Sequence, residues 1–189
     1  DLIAMLNQAL EKWEAVYGNE KKDRSPEERF AYVIERAYEQ AGCGVVVLVD
    51  EYDKPLLQAL DNDALLEDYR KTLKAFYGVL KSADRYLRFA FLTGVTKFSQ
   101  VSVFSDLNQL NDISLDYSYA TVCGITQTEL VETFTPEIEE FGRVNKLSAE
   151  ETVNKMARQY DGYHFHPKGD GVFNPFSVLN ACKSKILDN

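Results

Sequence analysis

The stretch Gly44-Val45-Val46-Val47-Leu48-Val49-Asp50-Glu51-Tyr52-Asp53-Lys54-Pro55 decides how the rest of the chain is read. An apolar run of this length, mostly β-branched and without polar alternation, is too short for a buried helix. Val45 to Val49 therefore reads as a strand buried on both faces. The run ends abruptly in two acids. In sheets of parallel strands the functional groups collect at the carboxyl ends of the strands, which is where Asp50 and Glu51 fall.

Working outward, Leu2, Leu6, Leu10, Trp13 and Tyr17 recur at helical spacing, and Gly18-Asn19 supplies a stop. Ser25-Pro26-Glu27-Glu28 places a hydroxyl at the N-cap, proline at the first helical position and glutamate at the third, a start for a second helix that carries Phe30, Val33, Ile34, Ala37 and Tyr38 and closes at Gly42. Beyond the acidic pair, Leu66, Tyr69, Leu73, Phe76 and Leu80 mark a helix over Leu65 to Leu80, which Asp84-Arg85 ends. Leu87 to Leu92 reads as a second strand, and Tyr119 to Ile125 as a third. Thr126 or Thr128 caps a helix beginning near Glu129, Ser148 to Glu151 opens another that runs to Tyr160, and a short helix is expected from Pro175 to Ile186. Strands alternating with helices predict an α/β layered sheet of mostly parallel strands joined by right-handed crossovers, with a helical C-terminal part. On this reading residues 1–130 form the sheet-bearing core and 131–189 a helical lid or docking segment.

The composition fits. The chain has 189 residues, 45% hydrophobic and 27% charged, enough for a packed core and far from disordered or collagen-like compositions. Thirty acidic against 21 basic residues give a net charge of −9, a field that disfavours a stand-alone nucleic-acid binder. Cys43, Cys123 and Cys182 are scattered singly, as in a reduced, cytoplasmic protein, and Cys123 reads as a small core residue of the third strand. No apolar run approaches the ~20 residues that span a bilayer, and no basic leader precedes Leu2, so neither membrane insertion nor secretion is expected. The first residue is Asp, which points to a trimmed or fragmentary chain.

A strand that delivers Asp-Glu to its tip is the Walker B pattern, in which the aspartate serves a Mg²⁺ site and the glutamate polarises an attacking water. A solvated acidic turn has the same composition, and the stretch alone leaves both readings open. Thr93-Gly94-Val95-Thr96-Lys97-Phe98-Ser99 offers hydroxyls and a lysine at the next strand tip, suited to sensing a γ-phosphate or to capping a helix. His164 and His166, with Asp161, lack a third clear ligand at suitable spacing and read as a turn with exposed or stacking imidazoles. The 11 Phe and 11 Tyr lack interleaved basic residues and read as core rather than as a base-stacking platform, the loop around Lys97 to Ser99 excepted.

Taken together, VVVLVDEYDKPL (45–56), RFAFLTGVTKFSQVSVFSDLNQLNDISLD (88–116), YATVCGITQTEL (119–130), and YDGYHF with FNPFSVLN (160–180) resemble the AAA-ATPase-like family of bacterial P-loop proteins. In that family an ATPase domain usually precedes a restriction-endonuclease-like domain; no nuclease activity is expected of the residues present here. The resemblance implies a P-loop NTPase-type sheet, ATP and Mg²⁺ as cofactors, Asp50 as the metal-side carboxylate, Glu51 as catalytic base, and Thr93, Thr96 and Lys97 in a sensor block. One departure matters. None of the ten glycines is followed by Lys-Ser or Lys-Thr, so the phosphate-cradling Walker A loop is missing. Either these residues are the Walker B and sensor half of an ATPase that is inactive in isolation, or they form a degenerate relative acting as a scaffold. The strand that precedes Walker A in such sheets would lie beside the sensor strand. Its loss predicts a two-strand core pair, Val45 to Val49 beside Leu87 to Leu92. The third strand should close against that pair or leave an edge open to a protein partner or a second copy.

Overall fold

The computed structural model describes residues 1–95, 103–104 and 110–186, the side chains of 161 and 162 excepted. The chain forms two compact units, Asp1–Leu110 and Asn111–Asn189.

In the first unit, helix α1 (Leu2–Tyr17) starts under an Asp1 side chain that accepts the Ile3 N–H at 3.0 Å, and it lies on α2 (Pro26–Ala41). The Ser25 box forms as the sequence predicts: the Glu28 carboxylate reaches back to the Ser25 N–H and hydroxyl at 3.3 and 3.2 Å. Gly42 ends α2 in the left-handed conformation, φ 64°. Strand β1 (Val45–Val49) follows, then a short helix α3 (Lys54–Leu57), the long α4 (Asp63–Ser82) and strand β2 (Leu87–Leu92). Asn62 caps α4 by accepting the Leu65 N–H at 3.0 Å. β1 and β2 pair in parallel, with Val46 opposite Phe89 and Val49 opposite Leu92, so the two strands end level. This is the expected core pair.

The core lies between one face of this sheet and the helices. Phe30 of α2 stacks on Phe76 of α4 with ring centres 4.5 Å apart, over Ile34, Leu73 and Leu80. Val45, Val47 and Val49 turn toward that cluster. The opposite face departs from the expected two-sided burial: Val46, Leu48 and Phe89 are 53%, 70% and 54% exposed. Side chains alternate along a strand, and among the described residues helices cover one of the two surfaces. A second departure lies in α1, where Trp13 is partly exposed and the buried residue beside it is Glu14.

In the second unit, α5 (Gln127–Asn145) opens with a Thr126–Glu129 capping box and bends at Phe134, two residues before Pro136. Helix α6 (Ala149–Tyr160) begins where Glu151 and Ser148 exchange hydrogen bonds, and it leads into a small antiparallel pair, β3 (Asp161–Tyr163) and β4 (Val172–Phe173). Helix α7 (Pro175–Ser184), capped by Asn174, closes the chain over a core of Leu130, Phe141, Met156, Phe173 and Val178.

The third strand does not form. Residues 117–119 are a 3₁₀ turn, started by the Asp116 side chain accepting the Ser118 N–H, and further turns follow; only Ile125 bridges, to Phe173. Cys123 is correspondingly exposed rather than a core residue. Gly124 is held where a Cβ would stand 2.4 Å from Val172, so the backbone approaches β4 too closely for a side chain there. No helix among the described residues is long and apolar enough to cross a membrane.

Candidate functional site

The parallel register brings the ends of β1 and β2 side by side, and with them Asp50, Glu51 and Thr93. Thr93, directly after β2, donates its backbone N–H to Val49 O at 2.8 Å, and its carbonyl accepts the Tyr52 N–H at 2.9 Å. Its hydroxyl donates to Asp50 Oδ1 at 2.5 Å and accepts the Glu51 N–H at 3.3 Å. Asp50, Glu51 and Thr93 thus meet in one cluster, which the sequence alone could only place at two strand tips. Thr96 and Lys97, with Phe98 and Ser99, lie outside the described residues.

Glu51 takes φ 52°, a left-handed conformation that costs a side-chain-bearing residue on the order of 1 kcal/mol. That turn swings the chain out of β1 immediately after Asp50. The Glu51 carboxylate accepts from Lys54 Nζ at 2.6 Å, and this bond holds the exposed Lys54 ammonium above its ordinary pKa. Asp50 and Glu51 are themselves exposed.

Three contributors escaped the sequence reading. Asp53, within the acidic stretch, is completely buried and accepts the Val95 N–H at 3.0 Å. Tyr52 is buried against Phe104, ring centres 4.7 Å apart. At Gly94 an added Cβ would stand 2.5 Å from the Tyr52 ring. The Asp-Lys-Pro sequence did carry a signal for α3, since aspartate before a proline in the first turn is a common helix start.

The donor set is of the hard-oxygen kind that divalent cations accept. A carboxylate and a hydroxyl are hard oxygen groups, the kind that a partly hydrated Mg²⁺ accepts. They are a partial set: no group of three or more His, Cys, Asp or Glu among the described residues is arranged to hold a metal by itself. His166 instead packs edge-on against Tyr117, and its Nδ1 accepts the Lys168 N–H at 3.1 Å.

Residues 1–104, more than half of the chain, match the family model described as "Predicted AAA-ATPase". A protein of Azotobacter chroococcum mcd 1 described as "Uncharacterized protein in vnfD 5'region" is 38% identical over 179 residues, covering 95% of this chain and 32% of the relative. The chain thus spans about a third of the length of the curated relative it matches. No solved structure matches it.

Proposed function

Because the chain belongs to the predicted AAA-ATPase family, we propose that its first unit is the Walker B and sensor half of a Mg²⁺-dependent ATP-hydrolysing site. The observation that carries the reading is the hydrogen bond between Thr93 and Asp50 across two parallel strand tips. Bound ATP would supply the phosphate chain, and Mg²⁺ would draw off the charge that develops during phosphoryl transfer. Asp50 holds the metal side through its exposed carboxylate. Thr93, by donating to Asp50 Oδ1, fixes the rotamer that this requires. Glu51, aimed by its left-handed backbone and steadied by Lys54, orients the attacking water and takes its proton. The family resemblance alone assigns Thr96 and Lys97 to the sensor block, since both lie outside the described residues.

The phosphate cradle has to come from residues outside this sequence, which contains no Walker A motif. The exposed face of Val46, Leu48 and Phe89 supports the same arrangement, since a larger sheet module would cover it. The 189 residues in isolation are then inactive, with weak or undetectable affinity for ATP. A second reading, a degenerate fold serving as a protein-interaction scaffold, is favoured by that same apolar face.

Assaying Mg²⁺-dependent ATP hydrolysis by the full-length protein separates the two. The ATPase reading expects turnover in the wild type and a loss of about 10²-fold or more in Asp50→Ala, as when a preorganised charge-stabilising group is removed. A full-length protein that hydrolyses no ATP, or an Asp50→Ala variant with undiminished turnover, contradicts it. Micromolar binding of Mg·ATP by the isolated chain would contradict the claim that the cradle lies elsewhere.

A further inference from the structure

Asp53 occupies the N-cap position of α3, yet its side chain does not cap that helix. Its Oδ1 reaches instead to the Val95 N–H, 42 residues away along the chain. An Asp at an N-cap ordinarily takes the local bond, which costs no loop closure. Here the carboxylate serves the neighbouring strand's exit loop.

The setting makes that bond weighty. Asp53 is 0% exposed, and carboxylates are buried this completely only where hydrogen-bonded partners offset the lost hydration. Tyr52 and Tyr77 wall the site, and burial together with the negative charge of Asp53 pushes the Tyr77 hydroxyl up to about 12. Gly94 fits the same geometry, because a Cβ there would lie 3.0 Å from Asp53 Oδ1 and closer still to the Tyr52 ring. The two exit loops are therefore joined by three contacts: the Thr93 hydroxyl with Asp50, the Tyr52 N–H with Thr93 O, and the Val95 N–H with Asp53.

We propose that Asp53 is a positioning residue, whose buried carboxylate fastens the loop after β2 to the loop after β1 and so holds the Thr93 hydroxyl against Asp50. The catalytic consequence rests on the ATPase reading; the fastening does not. A carboxylate that acts in this way contributes as a hydrogen-bond acceptor, so asparagine should replace it and leucine should not.

Hydrogen exchange on the 189-residue chain reads the fastening directly. Asp53→Leu should speed exchange at the Val95 amide by about 30-fold or more, as expected when an amide loses a carboxylate acceptor and no other group replaces it. The Thr93 amide, bonded to Val49, should change by less than about threefold, within the scatter of an unaffected site. Asp53→Asn should keep Val95 protected. In the full-length protein Asp53→Leu should lower kcat for ATP about tenfold or more with KM nearly unchanged, and Asp53→Asn should restore most of it. Unchanged Val95 protection in Asp53→Leu, or equal loss in both variants, overturns the proposal, as does a defect confined to KM. If Asp53→Leu fails to fold, Gly94→Ala separates the same two loops sterically, and undisturbed Val95 protection in that variant overturns the proposal equally. Should the wild-type full-length protein hydrolyse no ATP, the ATPase reading fails and the exchange data still decide the fastening.

Discussion

Glu14 and Arg29 form the most deeply buried ion pair described in the chain, with Arg29 Nε and Nη2 donating to the two carboxylate oxygens at 2.8 and 2.7 Å and Nη1 donating to Asn7 at 2.7 Å. The fork geometry matches guanidinium to carboxylate, and the amide of Asn7 satisfies a further donor, so the cost of desolvation is largely offset. Removing one partner strands the other. Glu14→Gln is expected to lower unfolding free energy by about 3 kcal/mol at neutral pH, measured by urea denaturation. Arg29's hydrogen bond holds the Glu14 carboxyl below its usual pKa, so its stabilisation is complete above the unfolded value and is lost as pH falls through the lowered folded one. The gap between wild type and Glu14→Gln should therefore narrow on acidification; a constant gap would contradict the pairing. Tyr77 works with the opposite sign. Its hydroxyl, raised to about 12, stays protonated where an unfolded chain would ionise, so its contribution is full below about pH 10 and falls as pH climbs toward that raised value. Tyr77→Phe should lose less stability than wild type between neutral and strongly alkaline pH. The helical period correctly placed Leu2 and Leu10 inward, but it set Trp13 where Glu14 is buried, because the deciding partner lies 15 residues away and leaves no local trace.

At the scale of elements, what was legible was punctuation. Ser25 and Ser148 start helices where the sequence placed them, and Thr126, one of the two candidates with Thr128, starts another, each with a glutamate three residues on, because a capping box is a contact between near neighbours. Thr126→Ala is expected to destabilise the second unit by about 1 kcal/mol, seen as a lower thermal midpoint for α5 by circular dichroism; an unshifted midpoint would contradict the cap's role. The Thr126 backbone N–H also holds the Glu129 carboxyl below its ordinary range, so the cap should weaken on acidification. Strands were harder to read. Val45–Val49 was identified from its β-branched run, but an all-apolar run cannot say which of its faces a helix will cover. Tyr119 to Ile125 has similar residues and is not a strand, since the Asp116 turn winds the chain before it can extend. In the site, Asp50, Glu51 and Thr93 were legible because strand ends attract function; Asp53 was not, because its burial depends on a loop 42 residues downstream.

At the scale of the molecule, the exposed face of the β1–β2 sheet is the feature that most needs a physical account. Val46, Leu48 and Phe89 present adjoining apolar surface on paired strands, and such surface is ordinarily covered by a partner or by more chain. The isolated chain should bind a hydrophobic dye, and Leu48→Lys should reduce both dye fluorescence and self-association in light scattering. Stability should stay within about 0.5 kcal/mol, as for other surface substitutions. Unaltered dye binding would mean that the face is not what the dye finds. On the function proposed above, Glu51 at the tip of β1 is the water-orienting acid of an ATP site. Comparing equilibrium Mg·ATP binding with steady-state hydrolysis in full-length Glu51→Gln tests it most directly. The variant is expected to hold ATP as tightly as wild type while turnover falls about 10²-fold or more, the signature of a lost general base. Turnover matching wild type, or a loss of nucleotide binding with no separate loss of kcat, would contradict it.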